Sequence, residues 1–209
     1  MKFHDFSPFY RSGEGIRSKV SGDRLIDNPA VADAQGGSDA SFRFDANTDV
    51  VSVGDDPDLD LGTGDGSIEL WAKTSSAADS ERLLTKIDGN LGWQLMVYAN
   101  QLKLEVGDNV ATNVVITGTK VVNDGDWHHL MATFDRDGDA VLYVDGVADG
   151  SGAISTVSAT WSNSSGIGIG NYKPSYANYG LTNGQISQVR IHNRALSAAE
   201  VRAAYNGQA

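Results

Sequence analysis

Over residues 127–134 the chain alternates two sets of side chains. Trp127, His129, Met131 and Thr133 fall on one face, and His128, Leu130, Ala132 and Phe134 on the other. Residues 140–144 read AVLYV, aliphatic, β-branched or aromatic throughout. Both runs suit strands that are at least half buried. Asp135-Arg136-Asp137-Gly138-Asp139 separates them, with a glycine where positive φ is needed, and Asp145-Gly146 is a second hairpin-type turn. The pattern predicts a three-strand meander.

From residue 39 onward the strand signal is steady. It predicts strands near 41–45, 49–53, 67–73, 82–87, 92–98, 101–106, 113–117, 127–135, 140–144, 165–170 and 184–192. Turn residues such as Asp88-Gly89-Asn90, Ala99-Asn100, Gly107-Asp108-Asn109 and Asn123-Asp124-Gly125 separate most of them. Many short strands at this spacing predict an all-β fold, an antiparallel β-sandwich of two sheets. One helix is predicted after them. Ser197-Ala198-Ala199-Glu200 has the form of a capping box, with Leu196 and Val201 spaced as a hydrophobic staple. The helix should end at Asn206-Gly207.

Residues 1–38 differ. They are polar, rich in Gly and Asp, and lack sustained alternation, and Phe3, Phe6, Phe9 and Tyr10 cluster at their start. Two readings stay open: a loosely ordered leader with an edge strand near Arg24–Ile26, or an arm that docks on a partner subunit. Burying three Phe side chains yields roughly 5–9 kcal/mol. Ordering ten backbone residues costs about 10–20 kcal/mol. A docked arm therefore also needs main-chain hydrogen bonds, as in strand addition to a sheet edge. The organisation expected is an extended arm or anchoring segment over 1–38 and one sandwich domain over 39–209.

Composition narrows the classes of partner. A chain of 209 residues buries roughly 70% of its unfolded surface as one domain, and without cysteine it uses no disulfide. A net charge of −11 argues against nucleic acid and against an anionic membrane surface. No run approaches transmembrane length, so no membrane insertion is expected. The first twenty residues hold no apolar stretch of signal-peptide length. Either a leader precedes this sequence, or the protein leaves its cell by another route. The acid is 22 Asp against 5 Glu. Asp favours turns, so turn chemistry and solubility explain the excess; cation binding at loop carboxylates is the alternative.

Four segments, in order, resemble the laminin G-like, concanavalin A-like jelly-roll family. Phe42-Arg43-Phe44-Asp45 through Val50-Val51-Ser52-Val53 resembles its opening strand pair. Ser67-Ile68-Glu69-Leu70-Trp71-Ala72-Lys73 resembles its SVEAWVK strand. The DWHHL…LYVDG meander is the third segment, and Gly184-Gln185-Ile186 through Ala195-Leu196-Ser197 resembles the family's ending. The resemblance covers about residues 39–206. It implies a jelly roll, recognition rather than catalysis, and glycan as the ligand class. The chain departs from the pattern in three places. It has Ser187-Gln188 where the family often has an Asp-Glu pair associated with structural calcium, Ala46 for a glycine, and no recognisable N-terminal strand motif in residues 1–38.

The E-x-D-x-E strand motif that pairs two carboxylates in glucanases of this fold is missing. Glu69 and Glu105 stand alone on their strands, and no Ser-His-Asp or Cys-His arrangement suggests itself, so no enzyme is expected. Adjacent His128 and His129 point to opposite faces and cannot chelate one metal together; one should pack and the other be partly exposed. Trp71, Trp93 and Trp127 read as core, while Trp161, in a loop-rich stretch, reads as an exposed aromatic. Asp135, Asp137 and Asp139 form a partial calcium-loop spacing, the candidate for Ca2+, or else a solvated hairpin turn. The loop 170–180 is the leading candidate for contact with a ligand or partner, through Asn171, Tyr172, Tyr176, Asn178 and Tyr179, because Tyr rings stack on sugars and Asn amides pair with hydroxyls. The function expected is a non-catalytic recognition module on a phage or virus particle, a decoration or fibre subunit. It would be anchored to other virion subunits by residues 1–38, with homo-oligomerisation open. The alternative is a secreted bacterial carbohydrate-binding or adhesion module. Either setting is virion-surface or extracellular.

Overall fold

The computed structural model describes residues 3–5 (as backbone), 41–76, 80–109, 113–172 and 179–207. The strands in chain order are β1 (Phe3–Asp5), β2 (Phe42–Phe44), β3 (Val51–Val53), β4 (Gly66–Thr74), β5 (Ser80–Asp88), β6 (Leu91–Tyr98), β7 (Gln101–Asp108), β8 (Asn113–Val121), β9 (Trp127–Phe134), β10 (Asp139–Val144), β11 (Val147–Ala153), β12 (Ile167–Ile169) and β13 (Gly184–His192), followed by helix α1 (Ala198–Tyr205). They form two antiparallel sheets. The seven-stranded sheet runs β1-β13-β4-β9-β10-β11, with β2 also on β13, and the six-stranded sheet runs β3-β12-β5-β6-β7-β8. This is the antiparallel β-sandwich that the alternation predicts and the jelly roll that the resemblance implies, and β9-β10-β11 is the expected meander.

Strand alternation builds the core directly. Leu130, Ala132 and Phe134 of β9, Leu142 and Val144 of β10, Trp93, Leu95 and Val97 of β6 and Leu102, Leu104 and Val106 of β7 meet between the sheets. The opposite face of β9 carries His129 and Met131. Met131 packs with Tyr143, Leu196 and Val201 beneath α1, which covers the outside of the seven-stranded sheet. The helix begins as predicted: Ser197 Oγ accepts from the Glu200 amide at 3.4 Å, and the Ser197 amide donates to Glu200 Oε2 at 2.9 Å. Among the described residues no helix is long and apolar enough to cross a membrane.

One feature of the arm falls within the described residues. Phe3–Asp5 does add as a strand to a sheet edge, but the edge is the chain's own: it pairs with Arg190–His192 of β13. β2 pairs only with Gly184–Ile186, so the far half of β13 offers main-chain groups that β1 takes up. Phe6, Phe9, Tyr10 and the strand expected near Arg24–Ile26 lie outside the described residues.

Trp161 is not exposed. At 1% exposure it is one of the largest fully buried side chains. Phe134 meets it edge-on at 5.4 Å, and the Arg136 guanidinium lies 3.7 Å from its ring centroid. Arg136 in turn donates to the carbonyls of Gly62, Val157 and Ala159, so one buried cation draws the 154–162 loop down over the core. Burial lowers the Arg136 pKa, against the opposing pull of Asp65, Asp108 and Asp137. Trp93 and Trp71 are core as expected, whereas Trp127 is only half-buried at the end of its strand.

Candidate functional site

The antiparallel register sets rows of side chains across the outer face of the six-stranded sheet. One row is Thr85, Gln94, Glu105 and Val115; the next is Arg82, Met96, Lys103 and Thr117; beyond it lie Ser80, Tyr98, Gln101 and Val121. Period-two alternation places all of these opposite the apolar core. They are joined across three strands: Arg82 Nε donates to Gln94 Oε1 at 2.8 Å, Gln94 Nε2 donates to Glu105 Oε2 at 2.5 Å, and Lys103 Nζ pairs with Glu105 Oε1 at 2.6 Å. An aromatic ring closes each end. The Arg82 guanidinium lies 4.4 Å from the Tyr179 ring centroid, and Lys103 Nζ lies 4.2 Å from that of Tyr98.

Beside this ladder is a groove of about 190 Å³, lined by Arg82, Gln94, Glu105, Asn90, Asn113 and Tyr172 among others. Its floor follows from sequence. The row Ile87, Gly92, Gly107, Asn113 has no side chains at its two central positions, so nothing stands above the sheet there. A Cβ on Gly107 would come within 2.2 Å of the Asn90 carbonyl oxygen and 2.3 Å of Asn113 Oδ1. That position admits only glycine without moving the Asp88–Leu91 turn. Glu105 is the single carboxylate among the lining residues. Glycoside hydrolysis by paired carboxylates needs a second one at ~5–10 Å.

The predicted ligand loop borders this site in part. Tyr172 lines the groove, and Tyr179 packs on Arg82, held by the hydrogen bond from the Arg82 amide to the Tyr179 carbonyl. Asn171 is not available for a ligand. It is fully buried, donates from Nδ2 to the Asn47 carbonyl at 2.8 Å and accepts from the Tyr172 amide at 2.7 Å, so it shapes the loop. Tyr176 and Asn178 lie outside the described residues. Trp161, buried on the other side of the sheet in the core, takes no part.

Asp135, Asp137 and Asp139 are exposed and serve the turn. Asp135 Oδ1 accepts the Asp137 amide at 3.2 Å, and main-chain bonds link Asp135 to Gly138 and Asp139. Among the described residues no three His, Asp or Glu groups converge to hold a metal ion. The Asp135 carboxylate thus forms an Asx turn, its oxygen accepting a backbone N–H two residues on.

The two histidines divide as the alternation requires. His128 is partly exposed between Asp145 (Nδ1–Oδ2, 3.0 Å) and Asp124 (Nε2–Oδ1, 3.1 Å). Partial burial lowers its pKa, but hydrogen bonds and charge from the two carboxylates prevail and raise it. His129 is buried. Its Nε2 lies 2.9 Å from Glu69 Oε2, while Glu69 Oε1 receives Arg190 at 3.1 Å and lies 3.2 Å from His192 Nε2. Glu69 is the one carboxylate of β4, as the sequence reading has it, and its partners come from the neighbouring strands β9 and β13. Trp71 and Tyr205 stack at 5.7 Å beside this cluster, which sits under α1. It is a closed, structural arrangement, with Glu69 at 2% exposure.

Sequence reasoning missed Arg82, Gln94, Glu105 and Lys103. Their alternation was visible, but their meeting across strands depends on the register of two hairpins, β5–β6 and β6–β7.

A laminin G family model, described as the concanavalin A-like lectin/glucanases superfamily, matches residues 45–202. No curated protein matches the sequence significantly. Solved structures similar to this fold include the binding domain of Paraclostridial Mosquitocidal Protein 1 (TM-score 0.69, 19% identity, 80% of this chain and 43% of that one). They also include the botulinum neurotoxin serotype D ligand binding domain in complex with N-acetylneuraminic acid (0.68, 17%, 93% and 47%). A third is the binding domain of botulinum neurotoxin DC in complex with rat synaptotagmin II (0.62, 16%, 77% and 40%). The chain spans less than half the length of each. At these identities the likeness is one of fold.

Proposed function

We propose, from the premise that this chain belongs to the concanavalin A-like lectin/glucanases superfamily, that it is a non-catalytic binding module with glycan as its ligand class. The reading rests on the outer face of the six-stranded sheet. There an Arg82–Gln94–Glu105 hydrogen-bond ladder flanks a groove edged by Tyr172, with one carboxylate among the lining residues. Planar amide, guanidinium and carboxylate groups pair with sugar hydroxyls, and tyrosine rings take the apolar face of a sugar ring. Of the similar folds, one is in complex with N-acetylneuraminic acid and another with rat synaptotagmin II. A protein partner at the same face is the competing outcome.

A glycan array should give selective binding by this chain. Gln94→Ala and Glu105→Ala should each weaken it by about tenfold or more, since each removes a hydrogen bond to a charged group. A blank array, or binding indifferent to both substitutions, would sink the reading.

The setting we propose is outside the cell, on a phage or virus particle, with a secreted bacterial module as the alternative. The aromatic cluster Phe3, Phe6, Phe9 and Tyr10 supports attachment through the N-terminal segment, although Phe3–Asp5 pairs with β13 of its own chain. Deleting residues 1–35 is expected to abolish incorporation into particles while leaving cooperative unfolding intact. Incorporation at the full-length level would remove the anchoring role.

A further inference from the structure

We propose that His128 is a proton-operated clasp. Charged, it ties the connection between the two sheets to the β10–β11 turn; neutral, it lets that connection go. The clasp is independent of any ligand and of the setting in which the chain works.

The geometry carries the proposal. His128 Nδ1 lies 3.0 Å from Asp145 Oδ2, and Nε2 lies 3.1 Å from Asp124 Oδ1. An ionised carboxylate only accepts hydrogen bonds. Both ring nitrogens must therefore donate, and imidazole donates from both only when it is charged. A neutral ring keeps one N–H and turns a lone pair toward the other carboxylate. Losing one proton thus replaces an attraction by a contact between two acceptors.

The two carboxylates are not equally free to leave. Asp145 is held twice more: its Oδ1 accepts the His129 amide at 3.1 Å, and its own amide donates to the His129 carbonyl at 2.9 Å. Asp124 has a more exposed side chain, 45% against 27% for Asp145, and accepts the Asp126 amide at 3.0 Å within its own turn. The remaining proton therefore stays on Nδ1, and Asp124 turns to water.

Other charges around the ring are few. From β8, Lys120 Nζ reaches the Val144 carbonyl at 3.3 Å, one residue from Asp145, and opposes a second cation. From β4, the residue opposite His128 is Ala72, which carries no charge. Partial burial also disfavours the charged ring, but Asp145 and Asp124 prevail and raise its pKa above 6.5. The clasp is thus complete below pH 6.5 and opens as pH rises through the higher folded value.

The clasped segment joins several parts of the sandwich. Residues 122–126 lead from β8 in the six-stranded sheet to β9 in the seven-stranded one. The Val122 amide donates to the Asn100 carbonyl at 2.9 Å. Asn123 Nδ2 donates to Asn100 Oδ1 at 2.9 Å and to the Ser76 carbonyl at 2.8 Å. The Gly125 amide donates to the Thr74 carbonyl at 2.9 Å. These bonds fix the connection to the β6–β7 turn and to the end of β4. Asp124, through His128, fixes it to the β10–β11 turn.

The test is nuclear magnetic resonance of the full chain from about pH 5 to 9, a window in which Glu69 stays ionised. The His128 ring signals are assigned by their loss in His128→Gln. Their midpoint should lie above 6.5, and Asp124→Asn and Asp145→Asn should each lower it. Asparagine accepts the left-handed φ of +55° at position 145, so that turn survives the substitution. Protection factors of the Gly125 and Asp126 amides, corrected for intrinsic exchange, should fall by about tenfold from the acid to the alkaline plateau, the worth of one charge-assisted hydrogen bond. Asp124→Asn should remove this pH dependence, because an amide can meet a neutral ring as donor. A midpoint at or below 6.5, or one that neither carboxylate variant moves, would overturn the clasp. So would a raised midpoint with unchanged protection at residues 125 and 126, since His128 would then titrate without holding the connection.

Discussion

Replacing Lys86 by methionine is expected to cost about 3 kcal/mol of unfolding free energy, the lower end of the ~3–5 kcal/mol seen when one member of a buried ion pair is removed. Lys86 lies opposite Trp93 on the core side of β5, with its side chain 1% exposed. Its ammonium reaches Asp55 Oδ1 and Asp60 Oδ1, each at 3.0 Å, and donates to the carbonyls of Asn163 at 3.3 Å and Ser165 at 2.7 Å. Four oxygens from two separate segments, 55–60 and 163–165, thus share one cation. Methionine fills the space of the stem but leaves these oxygens facing one another. The lower end of the range applies because Asp55 is 40% exposed and can turn to water. Urea denaturation should show a lower midpoint at unchanged m-value. A loss under ~1 kcal/mol would mean that the oxygens find water as readily as they found the lysine.

The second large effect is expected at Glu69. Burial alone would raise its pKa. Hydrogen bonds with His129 and His192, with the charges of His129 and Arg190, outweigh burial and hold it well below the usual carboxylate range. Glu69→Leu should cost ~3–5 kcal/mol, because Arg190 and two imidazoles lose the acceptor they share. The pH dependence has a definite sign. The folded pKa is depressed, so the contribution is complete above the unfolded value near 4.5. It is lost progressively as pH falls below that value toward the folded one. The wild-type protein should therefore lose stability through this acid range, and Glu69→Gln should flatten that limb of the curve. An acid limb identical in slope for both proteins would show that Glu69 is not the linked group. The same cluster seats α1, since Trp71 and His129 face Tyr205. Loosening of the C-terminal helix should accompany the loss of Glu69 and be visible as faster amide exchange over residues 198–205.

Much of the architecture was legible in the chain because local patterns carry it. Period two in β9 assigned Leu130, Ala132 and Phe134 to one side and His129 and Met131 to the other, and the sandwich obeys that division. Ser197 and Glu200 marked the start of the helix because capping is settled within four residues. The candidate site was legible only at its margin, through Tyr172 and Tyr179. Asn171 looked like a ligand group because an exposed and a buried asparagine have the same sequence signature. Trp161 misled for a related reason: polar neighbours predict a surface loop, whereas Arg136, 25 residues earlier, draws it inward.

What the sequence determined by itself is therefore the set of strands, their inward faces and the helix cap, all governed by interactions between near neighbours. What only the tertiary structure decided is which polar groups meet. Glu69 finds His129 at a separation of 60 residues and Arg190 at 121, and Gln94 joins Arg82 to Glu105 only in one register of three strands. Shifting that register by one residue would turn the ladder into the core. Packing of the apolar face forbids the shift, so the burial of Leu95, Leu102 and Leu104 sets the polar surface on the other side of the sheet.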